Sequence, residues 1–505
     1  MFLKNSIIYF LLKKREKDID NFISNPIKYQ DQTFSYLIMN GQKTMYGKKY
    51  NFNKIKNYKD FKDNVPIYTY EELEKYIGLI RKGERDVLWP GKIKRFAISS
   101  GTSNGKSKFI PISKECLRSC HYKSGKDMLC IYQNNFQYNN LYNGKGVMLG
   151  GAITDKNKIY KEGDLSALLL YEFPRWVKMH RVPDFETAIM KNWEKKLDSI
   201  AKQAIKENIT NLTGIPSWML LLLNKVIELS GKENITQIWP NLELYMHGGV
   251  NFEPYRKQFE KLIPSKKMNY LEGYNASEGF FAIQDKKISL GLLLMVNNGI
   301  FYEFIPMNKF KKNIYQAISL KSVQIGIEYA IVISTNTGLW RYLIGDVIKF
   351  TTIQPYRIKV VGRTKNFINS FGEELMIHNT NDAIKICCKL HDCSIKEYTV
   401  APYFLEDGSG GHEWFIEFYK EPKNLNSFML DIDLQIKKIN SDYEAKRKFD
   451  LVLKKPKFNV LKKNEFFKWL KEKDKLGGQN KIPRLMPNRS IANELIYIKK
   501  RSFQQ

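Results

Sequence analysis

Phe96-Ala97-Ile98-Ser99-Ser100-Gly101-Thr102-Ser103-Asn104-Gly105-Lys106-Ser107-Lys108-Phe109-Ile110-Pro111 is the stretch on which the reading of this chain turns. A β-like run ending at Ile98 opens into glycines and small hydroxylated residues, then into lysines and a proline. Glycines let backbone N–H groups close around an anion, and Ser and Thr hydroxyls donate further bonds. Lys106 and Lys108 add positive charge. The pattern suits a polyphosphate. It is not the P-loop of NTPases, which needs four residues between its first glycine and the Gly-Lys-Ser/Thr. Here Gly101 and Gly105 enclose only Thr102, Ser103 and Asn104.

On either side of this loop the chain alternates between two periods. From Phe96 to Phe350 short apolar runs alternate with helical stretches, as an α/β fold requires. Strands are expected over Gly146–Leu149, Leu242–Met246 and Tyr329–Ser334, and helices over Trp193–Asn208 and Trp218–Leu229. Before the loop, residues 1–90 read as helices, with one helical run over Asp60–Arg85 and a helix start at Thr69, followed by Glu71 and Glu72. After Ile358–Val361, the polar junction Arg363-Thr364-Lys365-Asn366-Phe367 divides a first domain, 1–365, from a second, 366–505. The second reads as a small α+β domain. Its lysine-rich segment Lys446–Lys475 is expected to be mostly helical, with Gly477-Gly478-Gln479-Asn480 as a loop before Lys481.

The bulk numbers narrow the classes. The chain has 505 residues, 43% hydrophobic and 13% aromatic, enough for a large core and more than one domain. No apolar stretch is long enough to span a bilayer. The N-terminal apolar run is short, ends in Lys13-Lys14-Arg15 and lacks a small-residue cleavage site, so it reads as a packing helix and not a signal peptide. Six cysteines are too few for a disulfide framework at this length, which points to a reducing, cytoplasmic compartment. Cys387, Cys388, His391 and Cys393 cluster, as do Cys116, Cys120 and His121. Neither group has the two spaced pairs of a zinc site, so both read as buried thiols. The formal charge of +30 comes with Lys spread along the chain among Asn and Ile, a trio of residues that AT-rich codons produce. No nucleic-acid motif accompanies it, so neither nucleic acid nor membrane insertion is expected.

Two further motifs follow in order. They are Tyr270-Leu271-Glu272-Gly273-Tyr274-Asn275-Ala276-Ser277-Glu278-Gly279-Phe280, and Gly338-Leu339-Trp340-Arg341-Tyr342-Leu343-Ile344-Gly345-Asp346-Val347 with Val361-Gly362-Arg363 behind it. In this order the set resembles the acyl-adenylate-forming enzymes. The phrases Gly214-Ile215-Pro216-Ser217-Trp218-Met219-Leu220, Gly338-Leu339-Trp340-Arg341-Tyr342 and Gly478-Gln479-Asn480-Lys481-Ile482-Pro483-Arg484 resemble, more narrowly, the auxin-responsive promoter (Gretchen Hagen) family of acyl-acid amido synthetases. The resemblance runs from about Pro66 to Arg484.

It implies a large N-terminal adenylate-forming domain of mixed sheets and packed helices, with a small mobile α+β domain behind it. It implies an ATP- and Mg2+-dependent ligase that adenylates a carboxylic acid and passes the acyl group to an amine, in the family that of an amino acid. By the same resemblance Ser99, Ser100, Gly101, Thr102 and Lys108 cradle phosphate, and Gly248, Gly249 and Tyr274 lie at the adenine. Glu278, next to Ser277, holds Mg2+, a hard cation suited to carboxylate oxygen. Asp346 takes the vicinal ribose hydroxyls with its two acceptor oxygens, and Arg363 reaches the same ribose. Trp218 and Met219 line the acyl pocket, and Lys481 bridges carboxylate and α-phosphate. Two alternatives stay open: an acyl-CoA ligase, with a thiol as acceptor, and a non-catalytic polyanion-binding protein driven by its charge.

Overall fold

The computed structural model describes residues 15–99, 108–136, 140–154, 160–190, 192–249, 252–287, 290–364, 367–450, 452–472 and 482–502. Two compact units emerge. The larger takes most of the chain up to Thr364; the smaller takes the chain beyond it together with residues 252–261.

The larger unit begins with helices over residues 15–24, Pro26–Gly41, Met45–Lys49, Tyr58–Asn64 and Tyr70–Arg81. The single helical run expected over Asp60–Arg85 is thus two helices. Pro66 forbids its predecessor the helical conformation, and Val65 is extended at φ −109° and ψ 119°. The second helix starts where its sequence says. The Thr69 backbone N–H donates to Glu72 Oε2 at 2.7 Å, so a side chain satisfies an N–H at the helix entrance.

These helices are fastened to the sheet by Gly338-Leu339-Trp340-Arg341. Trp340 is fully buried, donates from Nε1 to the Leu88 carbonyl at 2.9 Å and packs on Tyr46, Phe52 and Trp89. Gly338 sits at φ +89°, and a Cβ there would lie 2.5 Å from the Leu88 backbone, so glycine is required. Arg341 is buried and forks onto Glu303 at 2.8–3.1 Å, while its other arm donates to the Val65 and Lys62 carbonyls. A buried guanidinium is tolerated only when paired this fully.

A twelve-stranded mixed sheet carries the unit. One half is parallel: Arg181–Val182, Lys145–Met148, Ile209–Thr213, Leu244–Gly248 and Asn269–Ala276, in that spatial order. The helices Trp193–Ile205 and Pro216–Ser230 belong to its crossovers and pack on each other. The other half is antiparallel: Gly279–Ile283, Leu292–Leu294, Tyr356–Arg363, Tyr342–Ile353, Glu328–Thr335, Ile300–Pro306 and Ile318–Ser319. A second sheet of four strands holds Lys108–Pro111, Arg95–Ser99, Lys161–Gly163 and Ile153–Thr154.

The smaller unit is α+β. Ser394–Phe404 and Gly410–Lys420 pair antiparallel, and Lys457–Leu461 joins the latter in parallel. That third strand corrects the helical expectation over Lys446–Lys475. Phe458 and Val460 alternate with Lys457 and Asn459, and the Phe458 ring stacks on Trp414 at 5.7 Å. Lysine content hid a period of two. Residues 482–486 are pinned to this sheet: Thr399 Oγ1 donates to the Pro483 carbonyl at 2.6 Å, and Val400 exchanges backbone bonds with Arg484 and Met486.

Candidate active site

A gap in the large sheet sets the place. Of Tyr356–Arg363, only Arg357 and Ile358 pair with Leu292–Leu294, so the later half of that strand has no partner on that edge among the described residues. Arg363 ends that strand and lies in register with Asp346 on Tyr342–Ile353. Tyr274 stands on Asn269–Ala276, on the other side of the short strand.

Across this gap Tyr274 donates its hydroxyl to Asp346 Oδ2. Arg363 Nε holds Asp346 Oδ1 at 2.6 Å. Both oxygens of the buried Asp346 are therefore fixed, yet each keeps a second lone pair for a ligand donor. Burial, then the Asp346 charge, raises the Tyr274 pKa well above its ordinary value, so the phenol stays a donor. Its ring packs at 4.8 Å on Phe281.

Glu278 sits nearby, in the two-residue turn of the hairpin in which Ala276 pairs with Gly279. Ser277 is the other residue of that turn. Glu278 is 7% exposed, and the Tyr342 hydroxyl reaches its carboxyl at 3.4 Å. Lys108 Nζ approaches that hydroxyl at 3.5 Å and lies 5.6 Å from the Tyr70 ring centre. Burial raises the Glu278 pKa and Lys108 opposes the rise. Ser99 pairs in register with Lys108, so both stand at the mouth of the loop between Arg95–Ser99 and Lys108–Pro111. Ser100, Gly101 and Thr102, also assigned to that loop, lie outside the described residues, as does Lys481.

Gly248 and Gly249 close the parallel half. A Cβ on Gly248 would meet the Gly273 carbonyl at 2.2 Å, and Gly249 lies at φ +83°. The strand bearing Gly248 is registered on that bearing Tyr274. Met219 is fully buried on Pro216–Ser230, with its Cε 3.4 Å from a Cβ built on Gly214, while Trp218 is half-buried. Glu278, Tyr342, Lys108 and Ser99 form one group and Tyr274, Asp346 and Arg363 another, coupled electrostatically through Glu278 and Asp346.

Sequence reasoning missed Tyr342 and Tyr70. Tyr342 links lysine to glutamate; Tyr70 accepts the Phe109 backbone N–H at 2.8 Å and steadies the strand after the loop. Arg341, read beside Asp346 as part of one phrase, belongs instead to the scaffold. For a hard divalent cation, the chain offers the Glu278 carboxylate. It is buried, with the Tyr342 hydroxyl at 3.4 Å and the Lys108 charge nearby, and its carboxylate oxygens are of the kind such a cation takes.

Three family models match the chain: the GH3 family N-terminal domain over residues 15–268, the GH3 family central domain over 293–363 and the GH3 family C-terminal domain over 378–490. An indole-3-acetic acid-amido synthetase, GH3.4 of Arabidopsis thaliana, is 25% identical over 409 residues, covering 67% of each chain. A jasmonoyl-L-amino acid synthetase, JAR6 of Nicotiana attenuata, is 24% identical over 418 residues, covering 66% of this chain and 69% of its own. Among solved structures, the acyl acid amido synthetase AtGH3.15 in complex with 2,4-DB superposes with a TM-score of 0.63 at 17% identity, over 97% of this chain and 96% of that one.

Proposed function

We propose, because the chain belongs to the GH3 family, that it is an ATP-dependent ligase joining a carboxylic acid to the amine of an amino acid through an acyl adenylate. The single observation that carries the reading is the paired arrangement in the sheet gap. A doubly held carboxylate, Asp346, suits a ribose diol, and a buried glutamate lies near a lysine at the mouth of a Ser/Gly/Thr-rich loop.

The chemistry follows from the donor set. A carboxylate is a poor acyl donor until its oxygen leaves as AMP. The acid attacks the α-phosphorus of ATP and pyrophosphate departs; the amine then attacks the acyl carbon and AMP departs. The protein's contribution is positioning and charge stabilisation. Asp346, Tyr274 and Arg363 orient the nucleoside. Ser99, Ser100, Gly101, Thr102 and Lys108 bind phosphate oxygens. Gly248 and Gly249 leave room beside the adenine, and Ser277 and Glu278 complete the nucleotide site. Glu278 would hold Mg2+, which when bound neutralises phosphate charge. Lys481 supplies the cation between carboxylate and α-phosphate. Trp218 and Met219 supply apolar surface to the acid. No described helix is long and apolar enough to cross a membrane. All six cysteines are free of disulfides, which supports a reducing, cytoplasmic compartment.

The test is product formation. The full chain, with ATP and Mg2+, is given aryl, indolyl and fatty carboxylic acids, with pooled amino acids or with coenzyme A. An amide together with stoichiometric AMP is expected. A thioester formed in preference to any amide would replace the amine by a thiol in the second step.

A further inference from the structure

The group Cys116, Cys120 and His121 lies apart from the contacts described above, on the helix of residues 114–135. That helix widens into a π-helical stretch over Cys116–Tyr122. With i→i+5 bonding a turn holds more residues than an α-turn, so positions i, i+4 and i+5 gather on one side. One ligand atom from each residue lies within 4.8 Å of the others.

We propose that these three residues bind a zinc ion through two thiolates and one imidazole. Three observations carry this. All three side chains are buried, at 1%, 0% and 4% exposure. The Asn275 side chain reaches the His121 ring, which leaves at least one ring nitrogen without a hydrogen bond. A buried imidazole nitrogen left unsatisfied is costly unless something occupies it. Third, Cys120 Sγ accepts from the Phe280 backbone N–H at 3.2 Å and from Asn298 Nδ2 at 3.7 Å. Such N–H···S contacts orient and stabilise a metal-bound thiolate.

The charges balance. Two thiols lose their protons to solvent, two Zn–S bonds and one Zn–N bond form, and the complex is neutral. A neutral complex can be buried where a bare ion could not. The second cysteine group differs: His391 Nε2 is engaged with Asp431 at 2.7 Å. The proposed ion would sit behind the catalytic turn, since a Cβ on Gly279, next to Glu278, would lie 3.6 Å from Cys120 Sγ.

The full chain, carrying no histidine tag and expressed with zinc in the medium, is assayed for metal by mass spectrometry. Exchange into Co2+ follows, to record the sulfur-to-cobalt charge-transfer band. About one equivalent of zinc and a thiolate-type band are expected, with metal affinity lowered in Cys116→Ser and His121→Asn by more than the roughly 10- to 100-fold that loss of an outer-shell partner costs, and unchanged in Cys388→Ser. Absence of both zinc and band in the native chain overturns the proposal, as does a band lost only in Cys388→Ser. If the ligand variants fail to fold, the native chain still decides: a thiolate-type band that persists in Cys388→Ser supports the site.

Discussion

Under the proposed function Asp346 and Glu278 divide the nucleotide between them, and each makes a separable prediction. Asp346→Asn keeps the shape but loses the charge that Arg363 and Tyr274 hold. A charge-assisted bond contributes about 1.5–3 kcal/mol, so ATP affinity should fall roughly 10- to 150-fold. Isothermal titration with a non-hydrolysable ATP analogue measures this directly. As the proposed Mg2+ ligand Glu278 must be a carboxylate, and burial raises its pKa. Protonation removes its hold on a cation, so the acid limb of adenylation should lie at higher pH than an ordinary glutamate gives. Glu278→Gln should abolish that limb together with most of the rate; a pH profile of the variant with an unshifted limb would assign the limb elsewhere.

Arg341 belongs to stability. Removing one partner of a buried pair leaves the other uncompensated, at about 3–5 kcal/mol, so Arg341→Met should lower the melting temperature strongly. Asp346 was singled out from its phrase, whereas Tyr342 was not, although the signal was there. Along Tyr342-Leu343-Ile344-Gly345-Asp346 burial alternates, which puts Tyr342 and Asp346 on one face. Period-two reading of that strand would have found the tyrosine. The opposite use of Arg341 depends on Glu303 and on carbonyls nearly 280 positions away, which no local pattern reveals.

Elements were read well where the signal was local. Thr69 begins its helix as expected because Glu72 closes the cap within one turn. Thr69→Ala should cost about 1 kcal/mol in thermal unfolding without changing ATP affinity. Trp193–Ile205 and Glu328–Thr335 differ from expectation only at their ends. Reading failed where a competing signal covered the local one: Pro66 split a continuous apolar period, and lysines masked Lys457–Leu461. The π-helical stretch at Cys116 has no sequence signature, so its two cysteines and histidine read as a loose cluster until the backbone brought them together. The sheet gap was equally hidden, because it arises from Leu292–Leu294 being only three residues long beside an eight-residue neighbour.

For the molecule as a whole, the α/β class and the smaller α+β unit were legible because three spaced motifs and the change of period each persist over many residues. The charge of +30 was not legible in the same way, since composition does not say which surfaces matter. It separates two accounts. A polyanion-binding protein would bind nucleic acid tightly and with a steep salt dependence, independent of ATP. A ligase uses its cations one at a time, above all Lys481, whose charge is needed as the acyl–phosphate bond forms and far less when ATP merely binds.

Acid-dependent exchange of pyrophosphate into ATP, measured for the native chain and for Lys481→Ala across the acid panel, decides between them. Exchange with at least one acid is predicted, falling roughly 100-fold or more in the variant while ATP affinity is retained. A native chain that binds no ATP, or exchange undiminished in Lys481→Ala, would contradict the adenylation mechanism proposed for this chain.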